Sequence, residues 1–202
     1  MCSFDENILV NELGKLPLCG RIAFAAAAAT RQLCNYEWYA RRFNPIRELR
    51  PREIAIQLWE ALLTDSFDHP EWALILDEVM GLLPEEGDDW VIRHALADDA
   101  ISSLAYAVRA LLTSEPQNAA WAARRAFEAA DQAAIRTLGV QPGLTNTEIA
   151  IKSHTLVQRE IMRQRRDLDF LLAKPDKNSI DAIRNYAFAE VLLTVEEQVL
   201  LG

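Results

Sequence analysis

Residues 17–33 read PLCGRIAFAAAAATRQL, and this stretch decides the fold. Pro17 suits the first position of a helix, where its missing N–H is no loss. Leu18, Ile22, Ala25, Ala29 and Leu33 then recur at the 3–4 spacing of one helical face. Alanine is the best helix former, and a run from Ala25 to Ala29 also lets neighbouring helices approach closely, so this element belongs at the centre of a bundle. Asn44-Pro45 ends it, after the aromatic group Tyr36, Trp38, Tyr39 and Phe43.

The same periodicity continues on both sides. A short helix is expected over Phe4–Lys15. Pro51 opens another whose polar residues Glu53, Gln57, Glu60 and Thr64 form one narrow stripe, so Glu60 faces solvent and the rest of the helix is buried. Further helices are expected over Pro70–Leu83, from a cap at Asp88 or Asp89 to Thr113, and from Asn118 to Leu138 with Gly139 as the stop. In the last of these Ala119, Ala123, Ala126, Ala130 and Ala133 make a small-residue seam for tight packing. Thr145-Asn146-Thr147-Glu148 matches a capping box and starts a helix to about Leu172, with Ala150, His154, Val157, Ile161, Gln164, Leu168 and Leu171 on its inner seam. Lys174-Pro175 breaks it, and Asn178 or Ser179 caps a final helix through Leu193.

The whole chain, 1–202, therefore reads as one all-α domain, a bundle of roughly seven to nine helices. Half its residues are hydrophobic, enough for a full core, and seven Gly and eight Pro leave few turns for a sheet. Met1–Gly14 carries acidic residues where a secretory leader would be basic and apolar, and no apolar stretch is long enough for a membrane span. Cys19 and Cys34 lie about 22 Å apart on one helix, too far for a disulfide. A cytoplasmic protein with reduced thiols is expected.

Three stretches carry the resemblance to a known family: Gly20–Leu63, with Phe24, Cys34-Asn35-Tyr36 and Ile56-Gln57-Leu58-Trp59-Glu60, then Ala97-Asp98-Asp99-Ala100 and its helix, and the order of the helices that follow. The chain resembles the YjaG-like family, a bacterial family of unknown function (DUF416), most strongly over residues 18–112. The resemblance implies a small all-α cytoplasmic domain that can self-associate. It implies no activity, no cofactor and no site residue.

Catalytic motifs are missing from the sequence. None of His69, His94 or His154 follows a Glu by three positions, as a four-helix di-iron site needs, and no His-Glu-x-x-His, Cys-x-x-Cys, Gly-x-Ser-x-Gly or phosphate-binding Gly loop occurs. His94 and Asp98, one turn apart and followed by Asp99, are the best metal candidates, yet they supply fewer ligands than a catalytic zinc takes. A core-edge histidine bonded to its own i+4 carboxylate explains the spacing as well. Glu128 with Asp131, Glu85 with Asp88, and Glu86 with Asp89 have the spacing of cation-holding acids but lack a Glu-x-x-Glu partner, and solvated helix ends account for them.

Charge is segregated along the chain. Arg41, Arg42, Arg47, Arg50 and Arg52 follow the aromatic group, which suggests a nucleic-acid platform, but a net charge of −9 and a pI near 4.9 argue against one. Arg159, Arg163, Arg165 and Arg166 read as the wet face of their helix. From Glu60 to Asp99 twelve acidic residues face a single arginine, Arg93. The two patches are expected to meet, within the monomer or across a symmetric dimer. The leading expectation is a non-catalytic interaction or assembly module whose partner is a second copy or another protein. The alternative is a small metal-dependent hydrolase or ligand-binding enzyme around His94, Asp98 and Asp99.

Overall fold

In the computed structural model, which describes residues 3–67, 70–85, 87 and 91–202, the alanine-rich stretch is the axis of the molecule. Helix α2 spans Leu18–Phe43, and every residue from Ile22 to Leu33 is buried. A helix covered on all sides needs neighbours on all sides. Those neighbours are α3 (Arg50–Thr64), α5 (Ile92–Thr113), α6 (Pro116–Leu138), α8 (Thr155–Ala173) and α9 (Lys177–Ala189). The periphery is α1 (Glu6–Leu13), a 3-10 turn at Pro45–Arg47, α4 (Glu71–Met80), α7 (Thr145–Ser153) and α10 (Val195–Leu201).

Ten α-helices among the described residues exceed the expected seven to nine for two reasons. First, the helix expected from Thr145 to Leu172 is two. His154 adopts an extended backbone, φ −62° and ψ 143°, and its Nδ1 accepts the Leu156 amide at 3.3 Å, so it caps α8 and is not part of a continuous seam. Secondly, the chain turns out of α9 after Ala189, and Leu192 and Leu193 are buried linker residues. Thr194 then opens α10: its hydroxyl accepts the Glu197 amide at 3.2 Å, and the Glu197 carboxylate accepts the Thr194 amide at 2.8 Å. That reciprocal pair is a capping box readable as Thr194-x-x-Glu197.

Other helix starts differ by a residue or two. Thr145 lies inside α7, with Leu144 at the cap position, and Glu148 reaches back instead to the Gly143 amide at 3.0 Å. Asp176, not Asn178 or Ser179, caps α9 through the Ser179 amide. The caps expected for α5, Asp88 and Asp89, lie outside the described residues.

The polar stripe of α3 is where it was expected, with Glu53, Gln57, Glu60 and Thr64 exposed and Ile54, Leu58 and Leu62 buried, but the rest of the helix is not wholly covered: Ile56 is 41 % exposed. Trp59 pins this helix to the axis by donating its indole N–H to Thr30 Oγ1 at 2.9 Å. On α6, Ala119, Ala123, Ala126, Ala130 and Ala133 are all fully buried against its neighbours. Ser103 Oγ donates to the Ala122 carbonyl at 2.9 Å, a bond that requires close approach of α5 and α6. Gly139 ends α6 in the left-handed region at φ +62°, as its position implied. No described helix is long and apolar enough to cross a membrane. Cys19 and Cys34 are free thiols.

Candidate functional site

The first turns of α5 carry the residues singled out for chemistry, and the helix sends them to different faces. His94 turns toward α2: its ring lies edge-on to Tyr39 at 5.1 Å between centroids and 4.5 Å from Phe43, and its Nδ1 accepts the Val91 amide at 3.3 Å. Asp99 turns the other way, toward α6. Its Oδ1 accepts from Arg125 at 3.2 Å and its Oδ2 from Gln132 at 2.9 Å. Asp98 is half-buried between them. Among the described residues no group of three or more His, Cys, Asp or Glu side chains is placed to hold a metal ion. Glu128 is tied to Arg124 at 2.8 Å and to Arg125 at 3.2 Å. Glu86, Asp88 and Asp89 lie outside the described residues.

Asp99 has unusual electrostatics. Burial pushes its carboxyl up to about 7, against the pull of Arg125 and with help from Glu128 and Asp98. A carboxyl near neutrality suits acid–base work. This one is almost wholly buried with both oxygens taken by its own chain. The consequence is in stability. The folded state holds the proton more tightly than the unfolded state, so the stabilisation is full below about pH 4 and is lost as pH rises through about 7. Asp99→Asn should flatten that decline. Urea unfolding of both proteins at pH 4.5, 6 and 7.5 checks this: the wild type should lose ground to the variant at each step, and parallel curves would count against it.

The deepest polar cluster was not foreseen. Arg31, fully buried on the axis helix, is forked by Glu160 (Nε to Oε2 3.1 Å, Nη2 to Oε1 3.0 Å) and bonded to Asp167 (Nη1 to Oδ2 2.6 Å), both fully buried on α8. Gln164 Nε2 donates to Glu160 and to the Ala123 carbonyl, each at 2.9 Å, linking the cluster to α6. Burial opposes the charge on Arg31, but the two carboxylates outweigh it and raise the guanidinium above its ordinary value. Arg166 holds the second Asp167 oxygen and Glu190, and Arg163 lies 3.5 Å from Glu190. Three arginines thus meet three carboxylates. The available signal was Glu160, Gln164 and Asp167, polar residues at spacings of four and three beside an apolar seam.

This corrects the reading of the α8 arginines. Arg159 reaches Glu197 and the Leu192 carbonyl, and Arg163 the Val191 carbonyl, so they fasten the linker between α9 and α10. Arg165 is the most exposed of the four, at 54 %, and still pairs with Glu12 at 3.0 Å and with Asp169 at 2.9 Å. Beside it the outer face of α8 shows Met162, Asp169 and Phe170, with Tyr186 of α9 under the Arg166 guanidinium at 4.5 Å. Met162, Arg165, Arg166, Asp169 and Phe170 border a shallow hollow of about 540 Å³.

The arginine-rich stretch from the last turn of α2 into α3 also resolves differently from a stacking platform. Tyr36, Trp38 and Tyr39 are buried, and Arg93 covers the Trp38 ring at 4.2 Å. The two charge patches do touch within the chain: Arg50 forks Glu78 at 2.6 and 2.7 Å, and Arg47 donates to the Gly81 carbonyl at 3.3 Å.

A helix threaded through a ring of helices and held by an internal ion cluster defines an all-α, single-domain protein. The chain belongs to the family described as a protein of unknown function, DUF416, which matches residues 9–191 and so runs through α9. It is similar in structure to a DUF416 family protein from Shewanella baltica OS155, with a TM-score of 0.75 at 16% identity, covering 94% of this chain and 95% of that one. At that identity the likeness shows the fold. No curated protein matches the chain.

Proposed function

We propose that the protein is a non-catalytic assembly module of the bacterial cytoplasm that pairs with a second copy of itself through the outer face of α8 and α9. The observation behind this reading is the composition of that face. Met162 (56 % exposed) and Phe170 (42 %) line a hollow on α8 together with Arg165 and Asp169, and Tyr186 of α9 (41 %) lies 6.5 Å from the Phe170 ring. An apolar centre with both signs of charge is complementary to itself under a two-fold axis. Arg165 already pairs with Asp169 at 2.9 Å and with Glu12 at 3.0 Å, so the exposed apolar side chains carry the proposed contact.

Solution mass tests the proposal. The wild type should sediment as a dimer at micromolar concentration, and Met162→Glu/Phe170→Glu as a monomer with an unaltered melting curve, because neither side chain belongs to the core. A wild-type monomer throughout the range would overturn it. The competing reading is a metal-dependent hydrolase or ligand-binding enzyme at His94, Asp98 and Asp99, favoured only by the near-neutral Asp99. Stoichiometric metal in protein purified without chelator, lost in His94→Ala, would establish it instead.

A further inference from the structure

A cleft between α8 and α1, with the residues just before α1, brings the outside within reach of the deep ion cluster. It measures about 170 Å³, and its apolar walls are Phe4, Ile8 and Leu9 on one side and Ile161 and Leu168 on the other. Phe4 is held in place by stacking on Phe127 at 4.9 Å between centroids. A cavity of roughly 150 Å³ lined by side chains of this kind takes up benzene, so the cleft has the dimensions of one small ring.

Apolar walls alone do not name a ligand. The second observation is Gln164, which borders the cleft although it is only 5 % exposed. Its Nε2 donates to Glu160 Oε1 and to the Ala123 carbonyl, each at 2.9 Å. Both partners can only accept, so the amide faces one way and Oε1 is left over as an acceptor. That oxygen takes no hydrogen bond from any described residue, yet it is not sealed inside the protein. The cleft is the opening that Gln164 borders.

We propose that this cleft binds a small neutral molecule with an apolar ring and one hydroxyl group, of the size of phenol. The ring lies among the apolar walls, and the O–H donates to Gln164 Oε1. One spare acceptor suits one donor. An ammonium would bring three N–H groups to a place that satisfies one of them, and a buried donor left unpaired is costly. An anion would meet a carbonyl oxygen and gain nothing from it. The charges at the mouth are engaged already: Asp5 accepts the Ile8 amide at 3.0 Å, and Glu12 pairs with Arg165 at 3.0 Å. Arg165 borders both this cleft and the hollow on the outer face of α8, but the site does not depend on pairing of two copies.

NMR of methyl groups and side-chain carbonyl carbons in the full chain reads the site directly. The probes are phenol and toluene, which share the ring and differ in the hydroxyl. Phenol should give a saturable millimolar shift at the Ile161 δ1 methyl and at the side-chain carbonyl carbon of Gln164, which responds to an accepted hydrogen bond. Toluene should leave that carbonyl where it is. In Gln164→Met, which keeps the length of the side chain and lacks the acceptor, the preference for phenol over toluene should fall about 3- to 10-fold, the worth of one neutral hydrogen bond. A Gln164 carbonyl that phenol moves no more than toluene does would overturn the assignment. So would saturation with neither probe, or an unchanged preference in the variant. The variant also loses a donor to Glu160, and if that impairs folding the two probes on the wild type decide the matter alone.

Discussion

Arg31→Met should cost the protein about 3–5 kcal/mol of folding stability, the largest loss expected of any single substitution here. Methionine fills much of the space of the arginine stem but leaves Glu160 and Asp167 buried without their shared cation. Asp167 keeps Arg166 on its other oxygen, so Glu160 carries most of the penalty. Denaturant unfolding of Arg31→Met, Glu160→Met and the double variant separates the pair from the packing. The double variant should lose clearly less than the sum of the singles, because removing both charges removes the uncompensated one. A loss under about 1 kcal/mol for Arg31→Met would mean that water reaches the cluster and that the charges are not desolvated.

Ala126→Leu should cost about 1–3 kcal/mol, since the site has no room for three further carbons and the helices around α6 must separate to admit them. For a chain of this size each kcal/mol lowers Tm by about 2–4 °C. The same change at exposed Thr64 on α3 is the control and should leave Tm nearly unaltered. An unchanged melting curve for Ala126→Leu would show that the seam tolerates bulk and that α6 does not pack as closely as its alanines suggest.

The helices were legible wherever one face differed in polarity from the rest. The stripe Glu53, Gln57, Glu60 and Thr64 is enough to orient α3, and the alanine run is enough to bury α2. What escaped was decided by partners far along the chain. Arg31 follows a run of alanines in a helix and looks like any solvating arginine until Glu160 and Asp167 are placed beside it. Arg159 and Arg163 likewise read as a wet face because their partners, the Leu192 and Val191 carbonyls with Glu197 and Glu190, lie far along the chain. His154 was assigned to a seam by its spacing, yet its Nδ1 serves better as a cap, and a local hydrogen bond overrode the helical period. Of the candidate site, Asp99 was named and its neighbours Arg125 and Gln132 were not, for they lie on α6, 26 and 33 residues away.

The ion cluster also sets an order in time. Arg31 is separated from Glu160 by 129 residues and from Asp167 by 136. At a synthesis rate of about 5–20 residues per second, roughly 6–26 s pass between the making of the cation and the making of its first counter-charge. The axis helix can form early, but closing the bundle around an unneutralised guanidinium is costly until α8 leaves the ribosome. The nascent chain therefore stays open along α2 for most of its manufacture, and its last third seals the interior.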